Sequence, residues 1–212
     1  MEEIMARFVR LVSGLFVIVD PVGSIPLMLG LTNEHSPGAK RAVILRACLF
    51  AAGLLIFFSL VGARALSLLH INLDAFRIAG GVLLFLTAIE MMRSGSRRPA
   101  SEAGGAQSFA DVSYVPLGMP SLAGPGAITS VIVFSTDHVH AHGWHALLII
   151  SAIVLVFVAS YFNLRVSVGI QRLFGANGLM VLSRVMGLFL AALAVQFVLE
   201  GALKLAGQLA GK

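Results

Sequence analysis

The sequence predicts an all-α polytopic membrane protein with six transmembrane helices, and three observations lead to this fold class. First, 58% of the 212 residues are hydrophobic and only 12% are charged, which is about half the charged share of a soluble domain. Second, the apolar residues collect in runs of the length that crosses a bilayer, and the mean hydropathy is +0.94. Third, the 15 Lys and Arg are scattered between these runs, as the flanks of membrane spans are.

The same composition excludes several other classes of protein. The net charge of +5 comes from scattered single residues and pairs, so we expect no nucleic-acid partner. A single cysteine, Cys48, allows no internal disulfide. The chain has no phosphate-binding loop, no nucleophile with a paired base and no cysteine-based metal motif. We therefore expect a protein that is not an enzyme and needs no cofactor.

Six apolar segments account for the predicted helices, and each is interrupted by few charges. They are Phe8–Leu31, Val43–Ala63, Ile78–Met92, Val112–Thr136, Trp144–Leu164 and Val185–Leu205. A cleaved leader peptide is not expected at the start of the first segment, because Glu2 and Glu3 spoil the positive charge that a leader needs.

The chain is predicted to be one transmembrane domain, residues 1–212, made of two similar halves. The first covers about residues 8–92 and the second about 112–207, with a linker rich in Gly, Ser and Arg at 93–111. Two patterns recur between the halves. Pro21 and Pro26 lie 99 residues before Pro120 and Pro125, and the stretch from Arg77 to Gly80 resembles the stretch from Arg184 to Gly187.

Three spans in each half place the second half upside down in the membrane relative to the first. Inverted repeats with broken helices mark many transporters, whose substrate sites lie at the breaks. Proline and glycine free backbone groups there, and these must bind something or be buried in protein. The alternative is a pair of proline kinks that only shape the bundle. We predict breaks in the first and fourth helices, with substrate- or ion-binding residues Asp20, Pro21, Gly23, Ser24, Pro26, Pro120, Ser121, Gly124, Pro125, Gly126 and Glu90.

With these motifs the chain resembles the MarC family of integral membrane proteins over nearly its whole length. The motifs that carry the resemblance are Val19–Pro26, Arg77–Gly81, Pro116-Leu117 with Gly124–Ile128, and Leu182–Gly187. The resemblance implies six spans in a bacterial inner membrane. It also implies a fold similar to that of LysE-type amino-acid exporters, and some relatives resemble transporters of small neutral amino acids.

Two acids inside the predicted spans are candidates for chemistry, because an ionised group at bilayer depth is costly unless paired or hydrated. Asp20 lies midway through the first span, where it would bind Na⁺, carry a proton or contact a substrate ammonium. Its alternative role is an N-cap, since Asp before Pro is a usual helix start. Glu90, near the end of the third span, is either a proton or cation site or an interfacial residue close to Arg93.

Arg77 and Arg184 match across the repeat and begin the third and sixth predicted spans. They are interpreted as gating residues, with a loop acid such as Asp74 as a partner, or as anchors whose side chains reach the interface. The dense histidine loop Asp137–His145 is the only other cluster of potential metal ligands. It has no second cluster to complete a site, so we predict no metal.

The function predicted from these features is secondary transport of a small solute, with small neutral amino acids coupled to H⁺ or Na⁺ as the first choice. A channel and a non-transporting membrane partner are the alternatives, and a homo-oligomer is compatible with all three. Nine of the Lys and Arg residues lie at the loops after the first, third and fifth predicted spans, and six lie on the opposite face of the membrane. The positive-inside rule then places both termini on the exterior side of the inner membrane.

Overall fold

The computed structural model describes residues 2–32, 36–94, 122–136 and 144–210 of the chain. Every regular element in this part is a helix, which agrees with the predicted all-α class. The seven helices are α1 (Glu2–Val19), α2 (Ser24–Leu31), α3 (Pro37–Leu68), α4 (Leu73–Ser94), α5 (Pro125–Thr136), α6 (Trp144–Arg165) and α7 (Ser167–Ala210).

Four segments of these helices are long and apolar enough to cross a membrane. They are Pro37–Leu68, Leu73–Arg93, His145–Arg165 and Asn177–Gln208. Helices α1 and α2 form a fifth candidate if they count as one span, bent by 43° at the break between them. The break predicted in the first span is therefore present, and the chain has the helices of a multi-pass membrane protein.

The predicted fourth span, Val112–Thr136, is described only from residue 122 onward, where α5 contributes 12 residues. The linker at 93–111 also falls almost entirely outside the described residues. Six spans therefore remain a prediction from the sequence.

Two helix boundaries differ from the predicted ones. Helix α4 begins at Leu73, five residues before the predicted start at Ile78, because the Asn72 Oδ1 caps it by accepting a hydrogen bond from Asp74 N at 2.7 Å. Helix α7 extends far before the predicted start at Val185 and is kinked at Gly175, where φ is +66°. Glycine populates this left-handed region without steric cost.

Helices α4 and α7 pack against each other in antiparallel orientation, and glycines bring their backbones close. A Cβ on Gly81 would lie 2.9 Å from Ala194 O, and one on Gly201 would lie 2.8 Å from Asp74 O. Helix α3 packs on α5 and α6, α4 also contacts α5, and α1 packs mainly on α6. Helix α4 thus packs on α7 and on α5, the helix that begins at Pro125.

Candidate functional site

The first break joins α1 to α2 through Asp20, Pro21, Val22 and Gly23. Asp20 N still donates to Phe16 O at 2.9 Å, but Asp20 has φ of +47°, which ends the right-handed helix. Aspartate is one of the few residues with a side chain that visit this left-handed conformation. Pro21 follows it and has no N–H to continue the helical ladder.

Asp20 is 1% exposed, and its carboxylate bonds across the turn that precedes α2. Its Oδ1 accepts a hydrogen bond from Gly23 N at 3.0 Å. Its carbonyl oxygen accepts a second one from Ser24 Oγ, also at 3.0 Å. The N-cap position of α2 is Gly23, which has no side-chain cap, so the N-cap role of Asp20 stays a prediction. A carboxylate at this position is stabilised by the positive end of the α2 dipole.

Gly23 allows the carboxylate to approach this closely. A Cβ at Gly23 would overlap Asp20 Oδ2 and would lie 3.1 Å from Met91 Cε of α4. Pro21 is buried and Pro26 half-buried. The predicted residues from Asp20 to Gly23 therefore form a compact turn, which lies beside Met91 of α4 at Gly23, and Ser24 and Pro26 belong to the first turn of α2.

The second break is described from Leu122 onward, so Pro120 and Ser121 lie outside the described residues. The chain bends at Ala123 and Gly124, and α5 begins at Pro125. Gly126 is buried against Leu84 of α4, whose side chain occupies the space of a Cβ. This break thus also lies beside α4.

Hydroxyl groups after the second break bond within their own helix. Thr129 Oγ1 donates to Pro125 O at 2.9 Å, and Ser130 Oγ donates to Gly126 O at 2.7 Å. Thr129 also fills the space beside Gly80 of α4. These hydroxyl groups therefore donate to carbonyl oxygens in the first turn of α5 and do not point into an open site.

One face of α4 supports both breaks. Leu84 contacts Gly126 and Met91 contacts Gly23, and these two residues of α4 are seven positions, or about 10 Å, apart along the helix. Ala88 lies between them on the same face and is fully buried. The contact of both breaks with one face of α4 was not predicted, although the face shows in the sequence as the helical spacing of Gly80, Leu84, Ala88 and Met91.

The other predicted site residues are not at the breaks. Glu90 is exposed on α4, next to Met91 but on another face. Arg184 is exposed on α7. Arg77 is 1% exposed, and its Nη1 lies 3.1 Å from Glu200 Oε2 of α7. The matching arginines of the two halves thus occupy different environments.

Arg77 belongs to a group of polar residues along the α4–α7 contact that the sequence analysis did not assemble. Gln196 Nε2 donates to Glu200 Oε1 at 2.9 Å, and Gln208 Nε2 donates to Asp74 Oδ2 at 2.9 Å. The signal available in the sequence was Gln196 one turn before Glu200 in an apolar span. Nothing in that pattern identified Arg77 as the partner.

Among the described residues, no group of three or more His, Cys, Asp or Glu could hold a metal ion. The histidine loop lies outside them up to residue 143, while His145 is buried at the start of α6.

Several apolar helices of spanning length and a broken first span define an integral multi-pass membrane protein. A sequence profile described as "MarC family integral membrane protein" matches residues 5–206. The chain belongs to the MarC family, which confirms the resemblance found in its motifs.

Relatives of similar length occur in bacteria and archaea. A UPF0056 membrane protein of Aquifex aeolicus is 33% identical over 204 residues, which cover 95% of this chain and 94% of the relative. The UPF0056 membrane protein YhcE of Escherichia coli is 33% identical over 195 residues, covering 89% and 88%. A relative from Methanocaldococcus jannaschii is 32% identical over 196 residues, covering 92% and 95%. No solved structure matches the chain.

Proposed function

We propose that this protein is a secondary transporter of small solutes, with small neutral amino acids coupled to H⁺ or Na⁺ as its first candidate cargo. The observation that carries the proposal is the Asp20 carboxylate, which is 1% exposed at a helix break in an apolar span. Ionisable groups at membrane depth mark ion pathways and proton relays. Broken helices supply the backbone amides and carbonyls that bind a zwitterion.

The proposed site uses both breaks. The solute carboxylate would meet the helix starts at Gly23–Pro26 or Gly124–Gly126, where N–H groups and helix dipoles favour anions. The ammonium group, or the coupling ion, would meet Asp20 or the backbone carbonyls next to it. The common support of both breaks on α4 favours this assignment, because movement of α4 would affect both at once.

We also propose six spans arranged as two inverted repeats. The antiparallel contact of α4 with α7, and the contact of α3 with α6, support this proposal. These are the helices that correspond to each other when the two predicted repeats are aligned. We further propose a bacterial inner membrane location with both termini outside, on the basis of the nine-to-six division of basic residues.

The test is uptake of labelled alanine, glycine and serine into proteoliposomes under an imposed H⁺ or Na⁺ gradient. Wild-type protein should give saturable uptake that depends on one gradient. Asp20→Asn keeps an oxygen to accept the hydrogen bond from Gly23 N but loses the charge, so its uptake should fall to that of protein-free liposomes.

Glu90→Gln is the matched control, since it neutralises the other predicted acid at an exposed position. It should retain uptake. Equal uptake by Asp20→Asn and wild type would remove Asp20 from the pathway. Absence of uptake by folded wild-type protein would favour a partner role, and conductance without saturation would favour a channel.

A further inference from the structure

A cleft of about 500 Å³ lies between α1, α5 and α7, away from the residues assigned to transport above. Its volume is within the range of small-molecule sites. One wall is a stripe of α1 that contains Arg10, Gly14 and Val17, which share a helix face. The stripe ends at Val17, three residues before Asp20. The cleft therefore leads along α1 toward the first break.

The charged residues that line the cleft are Arg10 on one wall and Glu200 on another. Arg10 is exposed on α1, and none of the described residues forms an ion pair with its guanidinium. Glu2 and Glu3, earlier on α1, border a small pocket with Arg7 and Arg10 but form no such pair. Across the cleft, the Glu200 carboxylate already forms an ion pair with Arg77, whose Nη1 lies 3.1 Å from Glu200 Oε2. Since Glu200 is held by Arg77, Arg10 supplies the guanidinium of the cleft that is open to an anionic ligand.

The other walls combine apolar and polar groups. Phe134 of α5 and Phe197 of α7 line the cleft and meet edge to face, with their ring centroids 5.8 Å apart. Gln196 also lines it and fixes Glu200 through a hydrogen bond of 2.9 Å. A ligand with one anionic end and a short apolar body would match both kinds of wall.

We infer that this cleft is a second solute site, which binds the carboxylate of a small organic acid or amino acid against Arg10. Arginine pairs with a carboxylate through two parallel hydrogen bonds, and the surrounding helices keep much of the cleft apolar. The choice of a solute as the ligand rests on the proposed transport function. The charge and shape of the cleft do not depend on that function.

The experiment is calorimetric titration of the full-length protein in nanodiscs of zwitterionic lipid, without any gradient. Three probes separate the charges of alanine: L-alanine itself, propionate with only the carboxylate, and ethylamine with only the ammonium. We expect saturable binding of alanine and propionate and none of ethylamine. Arg10→Gln should weaken propionate binding by about ten-fold or more, because a charged hydrogen-bonded pair is lost.

Two variants control for general charge and for folding. Arg7→Gln removes the same charge from the same helix outside the cleft and should leave propionate binding unchanged. Arg10→Lys keeps a positive charge and should restore most of the binding lost in Arg10→Gln. Equal binding by Arg10→Gln and wild type, or an equal loss in Arg7→Gln, would overturn the inference.

A lipid headgroup is the other source of an anion, and it is tested in nanodiscs that contain phosphatidylglycerol. Retention of that lipid by wild type but not by Arg10→Gln, with no propionate binding in either disc, would overturn a solute site. The result of the binding experiment can be distinguished from the result of the uptake experiment. Binding that depends on Arg10 without any uptake would keep the cleft and reject the transporter. If Arg10→Gln leaves both uptake and propionate binding unchanged, the transporter is kept and the cleft site is rejected.

Discussion

The two halves of the chain share sequence motifs but hold different chemistry. The first half buries two charged residues of its motifs, Asp20 and Arg77, each 1% exposed. At the position 99 residues after Asp20 the second half has Met119, and the counterpart of Arg77 is the exposed Arg184. Proline and glycine thus accompany a helix start in both halves, whereas among the described motif residues only the first half buries a charged side chain.

This difference shows that a repeated motif predicts geometry better than function. Both breaks lie on one face of α4, as a repeated backbone pattern would suggest. Their side chains act differently, because a carboxylate bonds across the first break while hydroxyls bond within the helix that follows the second. Three paired substitutions measure how far this asymmetry extends.

The largest effect is expected at the arginines. Glu200→Ala removes the carboxylate that faces the buried Arg77, and the free energy of unfolding should fall by about 3 kcal/mol. This is the low end for a broken ion pair, because the Glu200 side chain is 45% exposed. Arg184→Gln should change the free energy of unfolding by less than about 0.5 kcal/mol. Both are measured by denaturant unfolding in the same detergent, and similar losses would mean that the halves bury charge alike.

An intermediate effect is expected at the glycines of the breaks. Gly23→Ala places a methyl group against the Asp20 carboxylate in the turn before α2, so we expect a loss of about 2 kcal/mol in unfolding free energy. Gly126→Ala meets the end of the Leu84 side chain, which can change rotamer, and should cost about 1 kcal/mol.

Gly30→Ala is the control for these glycines, since a Cβ there would meet no atom within 4 Å. It should stabilise α2 by about 0.5 kcal/mol through its helix propensity. A larger loss for Gly126→Ala than for Gly23→Ala would reverse the comparison between the breaks.

The smallest effect is expected at the serines. Ser24 Oγ donates across the first break to Asp20 O, so Ser24→Ala should cost about 1 kcal/mol. Ser130 Oγ donates to a carbonyl one turn earlier in its own helix, and Ser130→Ala should cost less than about 0.5 kcal/mol. Thermal unfolding followed by circular dichroism distinguishes the two values. Equal melting temperatures would show that the Ser24 bond adds nothing across the break.

The sequence was sufficient to predict helices and the first break, because both depend on local features. Long apolar runs predict spans whatever surrounds them, and Pro21 next to Asp20 interrupts a helix by its own covalent structure. The start of α4 was less predictable. Arg77 suggested an interface, whereas the helix begins earlier at the Asn72 cap and Arg77 is buried with Glu200 as its ion-pair partner.

Contacts between distant helices were the part that the sequence did not reveal. Asp20 was predicted as a site residue from the cost of its charge, but the position of its hydrogen-bond partner Gly23 beside Met91 depends on how α4 packs. The partner of Arg77 lies 123 residues later in the chain, and no periodicity connects them. The cleft at Arg10 could not be predicted for the same reason, since its walls come from three helices that are far apart in sequence.

The separation of 123 residues between Arg77 and Glu200 has a consequence for biogenesis. During synthesis, α4 leaves the ribosome long before α7, so Arg77 must enter the membrane while its partner is not yet made. Insertion of an arginine into a span is costly, and its place in the second turn of α4 keeps it near the water phase until α7 arrives. A helix of the second half therefore completes a charge contact of the first half.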